Sequence, residues 1–293
     1  MTNEIIQEKI FYKYKGMNNP LSYEYLKESL KEKYLYFARL SQLNDPFDSY
    51  IPENNDVTDI EIQNWLTKYM PETKIPVEMI KREILMRNNI NSDVSKQKDN
   101  MYVLSLTATE KNEMMWALYA ENYEGICLGY RAFHREGLQI DGENYFYIPF
   151  DYLQKYKCVS GIVNINNVGI IHFHKVHYDN DGTHKHCIFR NESTQFEIDY
   201  NIFHKKQCWN SEKEYKAFLM QDKNMPVFDQ KVHYNDNTLA EVIFGYKASP
   251  GKIKEIMGIV KRYYKKDSNI SFFRLEPDYK NYCLCKILIK DAL

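Results

Sequence analysis

The chain has 293 residues, 44% of them hydrophobic and 27% charged, which is enough apolar material for a large globular core. Its formal net charge of -1 provides no overall field toward nucleic acid or an anionic membrane. No apolar run approaches the roughly 20 residues that span a bilayer, and the stretch from Met1 to Lys9 carries two acids and no long apolar core, unlike a signal peptide. A cytoplasmic location, no membrane partner and six reduced cysteines are therefore expected.

Ile10–Tyr14 alternates polar and apolar residues and reads as a first strand. Ser22 offers a helix cap, with Leu26 and Leu30 continuing a helical stripe, and Tyr34–Ala38 reads as a second strand. Asn44-Asp45-Pro46-Phe47-Asp48 is a turn, because Pro46 pushes Asp45 out of helical geometry. Residues 57–92 read as a helical insertion inside a single domain covering 1–293. Ile62, Trp65, Leu66 and Tyr69 share one helix face there, and Pro76 suits the first turn of a second helix carrying Ile80 and Ile84. Tyr102–Thr107 returns to strand. Asn112 caps a helix containing Met115, Trp116, Leu118 and Tyr119; Gly125 ends it, and Ile126–Tyr130 is the next strand. Val168–Tyr178 is strand-like, a helix is expected within residues 192–206, and Glu212–Met220 is a strand. Glu241–Gly245 is a short apolar strand, and Ser249-Pro250 starts a helix that reaches Tyr264. Ser271–Leu275 and Tyr282–Ile289 close the chain. Without a regular βαβ rhythm, the fold class is α+β, with mixed, mostly antiparallel sheets and flanking helices.

The segment from Trp209 to Phe218 carries the strongest hint of chemistry. Read as a strand, it places Glu212 and Glu214 on one face, about 7 Å apart, with Lys213 and Tyr215 on the other. Two carboxylates on one rigid face are costly to bury and useful to a reaction. The alternative is a solvated strand whose acids pair with lysines.

Four segments occur together: Phe11-Tyr12-Lys13-Tyr14, Asn44-Asp45-Pro46-Phe47-Asp48, Met114-Met115-Trp116-Ala117-Leu118-Tyr119-Ala120 with Gly125, and Trp209 followed by Glu212-Lys213-Glu214-Tyr215. Their order and spacing resemble the bacterial family catalogued as domain of unknown function DUF2971. Two positions depart from that pattern. Ser105-Leu106-Thr107 stands where the family usually has Cys-Phe-Ser, and Lys216 where an Arg is common. Lys keeps the charge but lacks the bidentate fork.

The arrangement is more distantly similar to ADP-ribosyltransferases, including those that modify nucleic acid bases. That likeness implies NAD, bound as a substrate. It places a ribose-binding role on Tyr12, Lys13 and Tyr14, a nicotinamide wall on Trp116 or Tyr119, and the completing carboxylate on Glu214. It implies a toxin or phage-defence effector whose acceptor is protein or nucleic acid, with a partner protein in a defence system. Cleaving the nicotinamide–ribose bond builds positive charge on the sugar, which a carboxylate stabilises. Glu214 suits that role, Glu212 could orient or activate the acceptor, and Asn44 and Asp45 could hydrogen-bond ribose or substrate.

Each of these residues also has a packing explanation. Trp116 and Tyr119 lie three apart on an amphipathic helix, where rings usually form core. Tyr12 and Tyr14 share one strand face, with Lys13 opposite, and Asn44 and Asp45 are ordinary turn residues. A different chemistry would come from His172, His174, His177, His184, His186 and Cys187, all potential metal ligands, although their spacing fits no standard zinc pattern. They would serve a metal-dependent hydrolase or nuclease, while a third possibility is a catalytically inactive binding or sensor module. Cys283 and Cys285 share a strand face without the two-residue gap of a zinc knuckle and read as buried thiols.

Overall fold

The computed structural model describes residues 6–45, 48, 58–69, 74–82, 98–135, 139–140, 143–144, 146–165, 167–179, 202–222 and 226–289. Pro46, Phe47, His184, His186, Cys187 and most of the helix expected within 192–206 lie outside the described residues. The chain divides into two compact units. One comprises Met1–Ala38, Tyr102–Val176 and Cys208–Leu293, the other Arg39–Met101 and His177–Gln207.

The larger unit is dominated by a mixed, mostly antiparallel sheet, with its helices flanking it. Nine strands form its spine: β1 (Ile6–Lys15), β2 (Met101–Thr107), β3 (Ile126–Arg135), β4 (Phe146–Asp151), β5 (Val168–Lys175), β6 (Glu214–Gln221), β7 (Leu239–Phe244), β8 (Ser271–Asp278) and β9 (Cys283–Leu288). Their spatial order is β1-β2-β6-β5-β4-β3-β7-β8-β9. β1 also pairs antiparallel with β3, from Ile6 opposite Arg135 to Lys15 opposite Ile126. That second pairing closes β1, β2, β6, β5, β4 and β3 into a circuit. Only β7 and β8 run parallel within the spine.

Side-chain alternation sorts the sheet into two faces. Phe11, Leu104, Leu106, Tyr130, Ala132, Ile148, Phe150, Phe173, Ala217 and Leu219 belong to the larger apolar core, on the inner side of the circuit. The neighbours of Phe11 on β1, Tyr12 and Tyr14, point outward and join Trp116, Cys127, Ile243, Leu275 and Leu284 in a second core. Ser271–Leu275 therefore extends to Asp278, and Ile126–Tyr130 to Arg135, further than composition alone indicated.

Three helices of this unit start as their caps dictate. α1 (Pro20–Glu32) begins two residues before Ser22. The Asn19 side chain is the cap and accepts from the Ser22 N–H, with Pro20 in the first turn. The helix at Glu113–Tyr119 is capped by Asn112, which accepts from the Met115 N–H. The helix at Pro250–Tyr263 is capped by Ser249, with Pro250 at its start. After Tyr119 the chain passes through three left-handed residues, Glu121, Asn122 and Tyr123. Gly245 is needed there, because a Cβ would strike the Tyr123 carbonyl oxygen.

In the smaller unit, a helix spans Asp59–Tyr69 and residues 77–82 are helical, within the span read as an insertion. Lys81 pairs with Asp59 across these two helices. His177–Asp179 and His204–Lys206 pair in parallel, so the end of the region expected to be helical is strand. Lys205 and Asp48 form a buried ion pair at 3.2 Å.

Candidate functional site

The expected strand from Glu212 to Met220 is corrected at its start. Gln207–Glu212 is a 3₁₀ turn, Lys213 is left-handed with φ 46°, and β6 begins at Glu214. The left-handed residue breaks the alternation, so Glu212 and Glu214 are not neighbours on one strand face. Both are nonetheless buried, Glu212 4% exposed and Glu214 6%, which removes the reading of a solvated acidic strand.

Glu212 is held at a junction of three elements. The Tyr119 phenol donates to its Oε1 at 2.7 Å. Thr107 Oγ1 donates to its backbone carbonyl at 2.6 Å, and Thr107 sits opposite Tyr12 in the β1–β2 register. The Asn112 side-chain amide donates to the carbonyl of Ser211. The first strand, the tryptophan helix and the turn before β6 are thereby tied together.

Glu214 begins the outward face of β6, and Lys216 follows two residues later on the same face. Lys216 is fully buried, with Nζ 3.9 Å from Glu214 Oε2. At this position the lysine supplies a single point of charge, where an arginine would offer two parallel hydrogen bonds. His174 lies directly opposite Lys216 in the β5–β6 register, so it projects from the same face, as does His172. Burial, and then the charge of His172, hold the His174 ring down at about pKa 4. Burial also lowers His172. Glu214 and the two histidines, which the sequence presented as separate constellations, thus share one face of the β5–β6 pair.

The other expected site residues are distributed as follows. Trp116 is fully buried, packs edge-on against Tyr14 at 5.1 Å and donates through Nε1 to the Glu110 carbonyl at 2.7 Å. Its ring is core packing and presents no open wall. Tyr14 donates to the Thr109 carbonyl at 3.0 Å. Tyr12 donates to Glu241 Oε2 at 3.2 Å, and Lys286 reaches the same oxygen at 2.9 Å. Burial first, then the carboxylates of Glu110 and Glu241, push the Tyr12 phenol far above its ordinary range. Lys13 Nζ donates to the Ser105 carbonyl at 2.8 Å, across to β2. Asn44 is exposed and Asp45 half-buried, both in the smaller unit. Tyr119 is the half-buried ring whose polar end reaches a candidate carboxylate.

Among the described residues, the donors that converge closely enough to share a metal ion are Asp278, Cys283 and Cys285, within 4.8 Å of one another. His172 and His174 do not join such a group there. Cys283 is exposed and Cys285 half-buried, correcting the expectation of two buried thiols. The reason is register: Leu284 between them takes the core-facing position.

The chain matches no protein-family profile, no curated protein and no solved structure. No helix among the described residues is long and apolar enough to cross a membrane.

Proposed function

We propose that this is a DUF2971-type protein with an ADP-ribosyltransferase-like site that takes NAD as a substrate and either transfers ADP-ribose or hydrolyses the nicotinamide bond. The observation that carries the reading is the Tyr119–Glu212 hydrogen bond. It joins an aromatic residue of the tryptophan helix to a buried carboxylate two residues before the start of β6. The register of Tyr12 with Thr107, and the bond from Thr107 to Glu212, bring the first strand to the same junction. These are the three segments to which the ADP-ribosyltransferase likeness assigns the ribose, nicotinamide and carboxylate roles.

In this reading Glu214 faces the ribose and stabilises the positive charge that develops as nicotinamide leaves. Glu212, oriented by Tyr119, positions the incoming hydroxyl or base. The half-buried ring of Tyr119 is hydrogen-bonded to Glu212, whereas Trp116 is fully buried, so in this reading Tyr119 takes the nicotinamide role in place of Trp116. The acceptor is a protein, a nucleic acid or water. The biological setting is a toxin or phage-defence effector, working with or against a partner protein.

The test is incubation of the whole chain with NAD, followed by separation of products. Free nicotinamide with free ADP-ribose indicates hydrolysis; nicotinamide with ADP-ribose on a macromolecule indicates transfer. Absence of both, together with no NAD binding, removes the reading.

A further inference from the structure

β8 and β9 form the last hairpin of the spine, and their register sorts the side chains into two sets. Leu275 stands opposite Lys286 and Pro277 opposite Leu284, and the two leucines belong to the second core. Glu276, Asp278, Cys283 and Cys285 alternate with these and occupy the other face. There Asp278 is directly across from Cys283, and Glu276 across from Cys285. Two thiols and a carboxylate thus converge on the side of the hairpin turned away from that core. Their donor atoms all lie within 4.8 Å of one another, and Cys285 Sγ is 3.9 Å from Asp278 Oδ2.

The carboxylate is held in place by the turn that joins the strands. Asp278 Oδ1 accepts from the Lys280 N–H at 3.0 Å and from the Asn281 N–H at 3.1 Å. Oδ2 accepts from the Asn281 side-chain amide at 2.7 Å and keeps a second lone pair for a ligand. Such outer hydrogen bonds orient a carboxylate for a metal ion. Cys283 is exposed and Cys285 half-buried, so an ion reaches both from solvent. Around tetrahedral zinc, bonds of about 2.3 Å to sulfur and about 2.0–2.2 Å to oxygen put neighbouring donors about 3.5–3.8 Å apart. The observed spacing therefore needs a closure of about 1 Å at most. A disulfide is the poorer use of these thiols, because residues two apart on a strand have Cα atoms about 6.6 Å apart, near the limit for a bridge. Thiolates select zinc over magnesium or calcium, and zinc, unlike Cu(I), also takes a carboxylate readily. Glu276 is paired with Arg274 at 3.3 Å, which leaves the fourth position to water.

We infer that the β8–β9 hairpin binds one zinc ion through Cys283, Cys285 and Asp278, with water as the fourth ligand. The NAD reading gives none of these residues a role. Zinc uptake and nicotinamide release therefore report on the two separately.

The experiment titrates zinc into the reduced, metal-free full chain in competition with a chromophoric chelator. The Cys283→Ser/Cys285→Ser double variant is titrated beside it. Exposed Cys208 and the histidines also attract zinc, so the difference between the two proteins is the measure. Wild type is expected to take up about one equivalent more than the double variant. With cobalt in place of zinc, wild type should show a thiolate-to-metal charge-transfer band that is weaker or missing in the double variant. Asp278→Asn keeps an acceptor for the turn N–H groups but loses the charge, and should weaken zinc about tenfold or more. Zinc-free urea midpoints of the variants check that they fold; if the double variant does not, Cys283→Ser, at an exposed position, carries the comparison. Zinc should raise the midpoint of wild type more than that of the variant. Equal zinc uptake with and without the two thiols overturns the inference. So does a cobalt spectrum of wild type without thiolate ligation, or unchanged zinc affinity in Asp278→Asn.

Discussion

The phenol of Tyr119 donates to the buried carboxylate of Glu212 at 2.7 Å, across 93 positions of sequence. Because the acceptor is charged and out of water, this bond is worth more than an exposed one. Tyr119→Phe keeps the ring and removes the donor. It should cost about 1.5–3 kcal/mol in chemical denaturation. In a double-mutant cycle with Glu212→Ala, which removes the acceptor, the two losses should fall short of additive. Additive losses would mean that the two side chains act independently.

A second network ties β1 to the far strands. Glu241 accepts from Tyr12 at 3.2 Å and from Lys286 at 2.9 Å, and Glu110 lies 3.7 Å from the same ammonium. Glu241→Ala leaves a largely enclosed ammonium and a buried phenol without that acceptor. A loss of about 2–3 kcal/mol is expected, below the full cost of breaking a completely buried pair because both side chains keep some water contact. Glu241→Gln, which retains an acceptor for Tyr12, should cost less. Urea midpoints of the two variants check the ordering.

Stability should also fall in mild acid through His174. In the folded chain its ring titrates near 4, against an ordinary value of 6.5. As pH drops below 6.5, the unfolded chain takes up a proton that the folded chain refuses, so the unfolded state gains. The loss grows until pH reaches the folded value and is complete below it. Protonation would also place a cation opposite the buried Lys216. Between pH 7 and pH 5 the half-buried ring should contribute about 1 kcal/mol of this loss. Urea midpoints at the two pH values should converge more closely in His174→Gln than in wild type.

Much of the architecture was legible in the chain because local rules acted alone. Asn112 and Ser249 start helices where their side chains can accept from the first free N–H groups. Tyr12 and Tyr14 share a face, as alternation requires. The acidic segment was read less well. Nothing about Lys213 announces a left-handed backbone; the turn follows from tertiary ties to Thr107 and Asn112, which are more than ninety positions away. The meeting of His174 with Lys216, and of Lys175 with Tyr215, depends on the register between β5 and β6. Spacing along one strand cannot reveal which residues stand opposite it. Lys9, Phe146 and Tyr215 carry no motif at all and converge only because the strands close on themselves.

The most direct test of the central claim measures nicotinamide released from NAD by the wild-type chain and by Glu214→Gln, with both shown to be folded by their urea midpoints. The account predicts steady release by wild type and a loss of at least about a hundredfold in the variant, the scale expected when a charge-stabilising group is removed. Equal release from both proteins would contradict the assignment of Glu214, and no release from either would contradict the proposed activity.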